Sequence, residues 1–235
     1  MRLDKYLSDA AAASRSEAAK AARCGEITVD GKTVRSAAVH IDPESAVVIY
    51  RGKRVVRKEF TYIMLNKPEG YISSTDTSGR TVMELLPSEC RKMNMFPCGR
   101  LDIDTTGLLL ITNNGPLAHE LLSPRHHVFK TYAFECTSDI GRHECEKLES
   151  GVDIGDHVSL PAKVTLSSSR SGEITITEGK FHQIKRMFKA VGTEICRLER
   201  VAFGPLVLDR TLERGKWRYL TDDEEKSLFE AGKTQ

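Results

Sequence analysis

Two carboxylates stand two positions apart in the stretch CGRLDIDTTGLLLIT (98–112): Asp102, preceded by Arg100, and Asp104, shortly before the apolar run 108–111. A carboxylate held at the edge of a core can serve as a general base or a nucleophile, and a nearby cation can keep it ionised. Two further clusters follow. Lys130-Thr131-Tyr132 comes after the adjacent pair His126-His127. The stretch EGKFHQIKRMF (178–188) passes from a glycine turn into a basic, amphipathic segment with His182, Gln183, Lys185 and Arg186. Taken alone, each has an ordinary structural explanation. An isolated Arg-x-Asp is most often a capped turn with a local ion pair, and a strand tyrosine is most often packing. Asp104, followed by Thr105, Thr106 and Gly107, has the composition of a turn.

Other chemistries fit less well. An Asp-x-Asp pair also serves metal-dependent sugar transferases, which require manganese or a similar ion, but no Gly-rich strand-to-helix turn for a nucleotide accompanies this one. Adjacent histidines point apart on a regular element and make a poor metal pair. The six cysteines include no C-x-x-C pair, so neither a zinc knuckle nor a disulfide framework is indicated, and reduced thiols are expected. Cys98 has no neighbour that lowers its pKa and reads as a buried, inert thiol. No metal site is expected.

The elements that must position these residues can be read along the chain. A length of 235 residues with 40% hydrophobic composition supports a real core in one large domain or two smaller ones. The charged start Met1-Arg2-Leu3-Asp4-Lys5 does not resemble a signal peptide, and no run approaches the roughly 18 apolar residues of a membrane span. A cytoplasmic protein is expected. The net charge of +2 is unevenly divided: residues 1–58 carry 12 Lys/Arg against 7 Asp/Glu, a net of +5, leaving 23 against 26, or −3, for the rest. A basic front module on a nearly neutral body suggests a polyanionic partner.

Leu3, Tyr6 and Leu7 have helical spacing, and Ser14-Arg15-Ser16-Glu17 reads as a capping box for a second, alanine-rich helix ending at Gly25. A hairpin follows through Asp30-Gly31, with further strands at 39–41 and 47–50. Residues 51–58 are charged and lack either amphipathic period, so they read as a linker. The second domain, 59–235, has strand candidates at 62–65, 107–112, 131–136, 162–167 and 173–177. Its helix candidates are 115–122, 140–150 and 182–191, with a short one after Thr221. Strands outnumber helices and often follow one another directly. The expected fold is therefore α+β: two helices and a small sheet in front, then a domain built on a mixed, largely antiparallel sheet.

In combination, these stretches resemble the RsuA family of bacterial ribosomal RNA pseudouridine synthases. Residues 3–50 are similar to a small RNA-binding module first described in a ribosomal protein of the small subunit. MLNKPEGY (64–71), GRLDIDTTGLLLITNNG (99–115), SPRHHVFKTY (123–132) and EGKFHQIKRMF (178–188) are similar to successive family motifs in order. The chain departs from the family at Asn114, where relatives often carry aspartate, and at Ala12, where the front module often carries glycine.

The resemblance implies that Asp102 is the catalytic aspartate, Tyr132 the active-site tyrosine and Lys185 the basic partner of Asp102. It places Arg100 as the arginine that enters the duplex when the target uridine is displaced. Contacts to RNA are expected from Arg186, His182 and Gln183 in the second domain, and from Arg2, Lys5, Ser14, Arg15, Lys20 and Arg23 in the first. The implied substrate is ribosomal RNA, favoured as 16S within an assembling small subunit, with 23S as the alternative. A monomer acting away from membranes and without a cofactor is expected. A competing reading is a catalytically silent RNA-binding assembly factor with the same fold.

Overall fold

Helix α1 (Leu3–Asp9) buries Leu3, Tyr6 and Leu7, the residues whose spacing predicts it. In this computed structural model, which describes residues 1–10, 12–56, 60–76 and 79–233, the chain forms two compact units, Met1–Phe60 and Thr61–Gln235. Helix α2 (Arg15–Cys24) begins at the expected capping box. The Ser14 hydroxyl accepts from the Glu17 amide at 3.3 Å, the Glu17 carboxylate accepts from the Ser14 amide at 2.8 Å, and Gly25 ends the helix in the left-handed conformation. Strands β1 (Ile27–Val29), β2 (Lys32–Thr33), β3 (Val48–Tyr50) and β4 (Lys53–Val55) form an antiparallel sheet in the order β2-β1-β3-β4. Leu3, Leu7, Ala18, Ala22, Ile27 and Val48 meet in its core.

Two expectations are corrected here. Residues 39–41 are not a strand of this sheet; they hold the start of the chain. The Leu3 amide donates to Val39 O at 2.9 Å and the Met1 ammonium to Ile41 O at 2.7 Å, and the chain turns into α1 before a ladder can extend. The expected linker at 51–58 contains β4, joined to β3 by a two-residue turn in which Arg51 and Gly52 have φ 49° and 77°. β4 lies at the sheet edge, where charged side chains are tolerated and guard against unwanted pairing, so its sequence shows no alternation. Arg57 and Lys58 lie outside the described residues.

In the second unit the strands are β5 (Tyr62–Lys67), β6 (Phe96–Pro97), β7 (Thr106–Thr112), β8 (Lys130–Cys136), β9 (Lys163–Leu166), β10 (Ser171–Ile176), β11 (Ile195–Phe203), β12 (Leu206–Val207) and β13 (Trp217–Tyr219). The helices are α3 (Ser88–Lys92), α4 (Gly115–Leu122), α5 (Arg142–Ser150), α6 (Gln183–Ala190) and α7 (Asp222–Lys233). The main path of the sheet runs β13-β5-β7-β11-β8-β10-β9, with β6 on β7 and β12 on β11. β7 and β11 are parallel; the other strand pairs described are antiparallel. This is the mixed, largely antiparallel α+β body expected from the sequence.

β5 and β7 are buried on both faces, which explains their unbroken apolar runs. Ile63, Leu65, Leu109 and Ile111 share a core with Ile184, Met187 and Phe188 of α6, whereas the alternate residues Met64, Leu108 and Leu110 are buried on the opposite face. α7 packs against α4, and Phe229 meets Tyr62 edge-on with ring centroids 5.6 Å apart. Among the described residues, no helix is long and apolar enough to cross a membrane.

Candidate active site

The loop carrying Asp102 and Asp104 leads directly into β7 and is held from several sides. Lys67, at the end of β5, is fully buried, and its ammonium donates to the carbonyls of Asp102 at 2.9 Å and Thr105 at 2.8 Å, with Ile103 and Pro68 at 3.3 and 3.2 Å. Burial pushes its pKa down to about 8, with Asp104 and Asp102 opposing the change. The Ser73 hydroxyl donates to Leu101 O and accepts from Leu101 N, both at 3.1 Å. Gly70 N donates to Ile103 O at 2.8 Å. The backbone of 101–105 is thus fixed independently of its carboxylates.

Gly107 lies at the start of β7, where the sequence places the strand 107–112, and its missing side chain serves strand pairing. Its backbone lies so close to β11 that a Cβ would stand 2.3 Å from Arg200 O, and its φ is 98°. The parallel pairing of β7 with β11 therefore requires glycine at this position. One row of register partners then crosses four strands: Lys67, Gly107, Arg200 and Tyr132. That row brings the clamp on the Asp102 loop and the tyrosine of β8 to the same level of the sheet.

Opposite the loop, α6 presents Lys185 in its first turn. The Lys185 ammonium lies 3.2 Å from Asp102 Oδ2 and 2.5 Å from Asp104 Oδ1. Burial alone lowers the pKa of Lys185; hydrogen bonds to Asp104 and Asp102 outweigh it, and the net shift is upward. Asp104 is held below the ordinary carboxylate range, with burial opposing and the Lys185 hydrogen bond prevailing. Asp104 lies in a turn, as expected, and this contact adds an ion pair to that role. His182 Nε2 lies 3.6 Å from Asp102 Oδ1, so two basic side chains flank that carboxylate.

Asp102 opens onto a cleft of about 80 Å³ bordered by Arg100, Tyr132, Ile176, His182, Lys185 and Leu198. Tyr132 is 8% exposed and belongs to the hydrophobic core, so it offers the cleft a small part of its surface while its ring packs behind. Arg100 is exposed at the border. Lys185 and Asp104 also border a second groove of about 380 Å³ that reaches Arg197 and Arg214. These arginines are paired with Glu135 at 3.6 Å and Glu199 at 3.4 Å.

Several of the residues expected to contact RNA have internal partners. Gln183 is buried; its Nε2 donates to Glu178 Oε1 at 2.6 Å and its Oε1 accepts from Lys180 N at 2.9 Å, which closes the turn before α6. The Arg186 guanidinium binds Ile154 O and Asp156 and reaches Phe181 O at 3.3 Å. In the front unit, Arg2 is paired with Asp4 at 2.6 Å and Ser14 is occupied by the capping box. Lys5, Arg15, Lys20 and Arg23 remain exposed. His182 is the residue before α6 and adopts the left-handed conformation, φ 48°.

The other residues considered from the sequence are accounted for by packing. Burial pushes the Cys98 thiol up to about 12, which suits an inert thiol rather than a nucleophile. His126 is paired with Glu120 at 2.6 Å. Asn114 is buried; its Oδ1 caps α4 by accepting from Leu117 N at 3.0 Å, and its Nδ2 donates to the Tyr62 hydroxyl at 2.8 Å. An ionised aspartate could make the cap but not that donation. The signal for Lys67 was present in the sequence, since a lysine closing the apolar run YIMLN must find acceptors when buried.

A mixed sheet in which β7 and β11 run parallel, a carboxylate loop at the start of β7 and a lysine from α6 facing it make up the candidate site. Residues 61–190 match the RNA pseudouridylate synthase family, and residues 1–47 match the S4 domain. The chain belongs to the RNA pseudouridylate synthase family. It is 44% identical over 230 residues to the uncharacterized RNA pseudouridine synthase YtzG of Bacillus subtilis, covering 95% of this chain and 96% of that protein. It is 38% identical to ribosomal small subunit pseudouridine synthase A of Escherichia coli, covering 97% of this chain and 100% of that protein. A crystal structure of a pseudouridylate synthase superposes with a TM-score of 0.69 at 33% identity, covering 97% of this chain and 99% of the other.

Proposed function

We propose that this chain isomerises one uridine of 16S ribosomal RNA to pseudouridine, with Asp102 as the reacting carboxylate. The observation that carries the proposal is the Asp102 carboxylate beside the Lys185 ammonium, 3.2 Å away, at the border of a cleft that Tyr132 lines. The reaction breaks the bond between C1′ and N1, turns the uracil over and joins C5 to C1′. The C5 proton leaves and N1 gains one, so no electrons are exchanged and no energy source is needed. Asp102 either attacks C1′ or removes the 2′ proton to give a glycal, and both routes use the ionised carboxylate that a neighbouring cation favours.

The target base must leave the helical stack before it can turn. Arg100, exposed beside Asp102, enters the vacated space, and Tyr132 contacts the extruded uracil from the floor of the cleft. Residues 1–58 act as the RNA clamp, through phosphate contacts from Lys5, Arg15, Lys20 and Arg23, and residues 59–235 carry the chemistry. Whole-length similarity to proteins named for the small ribosomal subunit supports the 16S target. On this reading the protein works in the cytoplasm as a monomer on an assembling small subunit.

The test is to map pseudouridines in ribosomal RNA from cells with and without the gene, and to treat a 16S transcript with purified protein. One 16S pseudouridine is expected to vanish with the gene, to return with the parent protein and to stay absent with Asp102→Asn. A missing 23S pseudouridine would overturn the target, and an unchanged map would leave an RNA-binding factor without activity.

A further inference from the structure

Phe181 is 76% exposed, directly beside the cleft residue His182. A single exposed aromatic is unremarkable on a protein surface. This one is presented by a fixed support. Its ring lies parallel to the His182 imidazole, with centroids 3.8 Å apart and planes 18° from parallel. Its carbonyl accepts from Arg186 Nη1 at 3.3 Å, and the backbone on either side is closed by Lys180 N to Gln183 Oε1 at 2.9 Å and Gln183 N to Lys180 O at 3.2 Å. The left-handed backbone of His182, φ 48°, is a sparsely used conformation for a residue with a side chain, and the surrounding contacts hold it. With one face of Phe181 covered by His182 and the residue three-quarters exposed, the other face is open.

His182 also lies 3.6 Å from Asp102, so the stacked pair begins at the reacting carboxylate and ends in solvent. Lys180 is exposed next to it, and Lys185 and Arg100 border the same cleft. An open aromatic face among cations suits a nucleobase with its phosphates better than an apolar protein surface. We propose that the Phe181–His182 stack is a platform for an RNA base flanking the uridine displaced toward Asp102. This rests on the RNA-modifying reading above and adds a subsite to it. Every base has a π-face, so the platform fixes the strand beside the target without reading its sequence.

The experiment compares the parent with Phe181→Ala, Phe181→Leu and Phe181→Trp, using a 16S rRNA transcript as the probe. Because the side chain is exposed, these substitutions do not disturb the core. Phe181→Ala and Phe181→Leu are expected to weaken RNA binding by roughly 5- to 150-fold, the range for loss of one base–aromatic stack, while Phe181→Trp keeps parental affinity. The loss falls mainly in the dissociation constant, with a smaller change in the single-turnover rate at saturating RNA. Trp217 is the chain's single tryptophan, so emission from Phe181→Trp should be quenched by RNA beyond the change seen in the parent. Parental affinity in Phe181→Ala, parental affinity in Phe181→Leu, or an unquenched tryptophan at position 181 would each overturn the platform. If the parent makes no pseudouridine, the activity reading fails alone, because affinity and quenching still report on the stack.

Discussion

The Lys185 ammonium stands between two carboxylates, 2.5 Å from Asp104 Oδ1 and 3.2 Å from Asp102 Oδ2. Asp104 therefore shares the cation that faces Asp102, and on the proposed mechanism it is a positioning residue rather than turn chemistry alone. Asp104→Asn is expected to lower the single-turnover rate roughly 10-fold, a barrier change of about 1.4 kcal/mol. The two carboxylates together raise the pKa of Lys185. Removing one lowers it, so the ammonium is lost at lower pH and the basic limb of the pH–rate profile moves down. A parental rate with an unmoved basic limb would return Asp104 to a turn role.

Asp102→Asn should be far more severe. The Asp102 backbone carbonyl, not its carboxylate, is what Lys67 grips, so the amide leaves the loop in place. Single-turnover rates are expected to fall more than about 10³-fold, above roughly 4 kcal/mol, with RNA affinity within about 3-fold of the parent. Equal and complete loss in Asp102→Asn and Asp104→Asn would mean that the reacting carboxylate has been wrongly assigned.

The front unit makes a prediction about salt. Arg15, Lys20 and Arg23 are exposed, whereas Arg2 is committed to Asp4 at 2.6 Å. Each phosphate contact contributes roughly 0.7–0.9 to the slope of log affinity against log salt. Replacing Arg15, Lys20 and Arg23 together by alanine should flatten the slope by about 2–3, and Arg2→Ala should change it little. Filter binding across a salt series decides, and an unchanged slope in the triple variant removes α2 from the RNA contact surface.

Much of this architecture was legible because local signals and tertiary structure agree. The Ser14 capping box, the Gly25 stop and the double-sided apolar runs of β5 and β7 can be read directly from residue order. β11 was hidden. Its Arg197, Glu199 and Arg200 break the alternation, and bulges between Ile195 and Arg197 and between Arg200 and Ala202 shift the register. In the site, the motifs named Asp102, Arg100, Tyr132 and Lys185, but spacing could not reveal the contacts between segments distant in sequence. The grip of Lys67 on a loop more than 30 residues later, and the closure of Gly107 on Arg200, arise only when the strands pair. The internal partners of Gln183 and Arg186 were hidden for a related reason: polar residues in a basic helix look solvated until Glu178 and Asp156 fold against them.

Lys67 yields the most direct link between the fold and the site. Its buried ammonium serves the carbonyls of Asp102, Ile103 and Thr105, and Lys67→Met leaves these acceptors without that donor. Unsatisfied buried polar groups cost about 1–3 kcal/mol each, and partial access of water reduces the sum, so a net destabilisation of about 2–4 kcal/mol is expected. Activity should fall as well, because the loop that carries Asp102 loses its tether. The pH dependence carries a definite sign. Burial lowers Lys67 to about 8 from its ordinary 10.5, so between those values the unfolded chain binds more protons than the folded one. The cost of the buried charge is fully present below about pH 8 and is relieved as pH rises toward 10.5. Lys130, also lowered to about 8 by burial, is common to both proteins and cancels in the comparison. Urea unfolding of the parent and Lys67→Met at pH 7.5, 9 and 10 should therefore show a stability gap in the parent's favour that widens with pH. A gap that stays constant or narrows across this window would show that Lys67 does not titrate as a buried cation gripping the Asp102 loop.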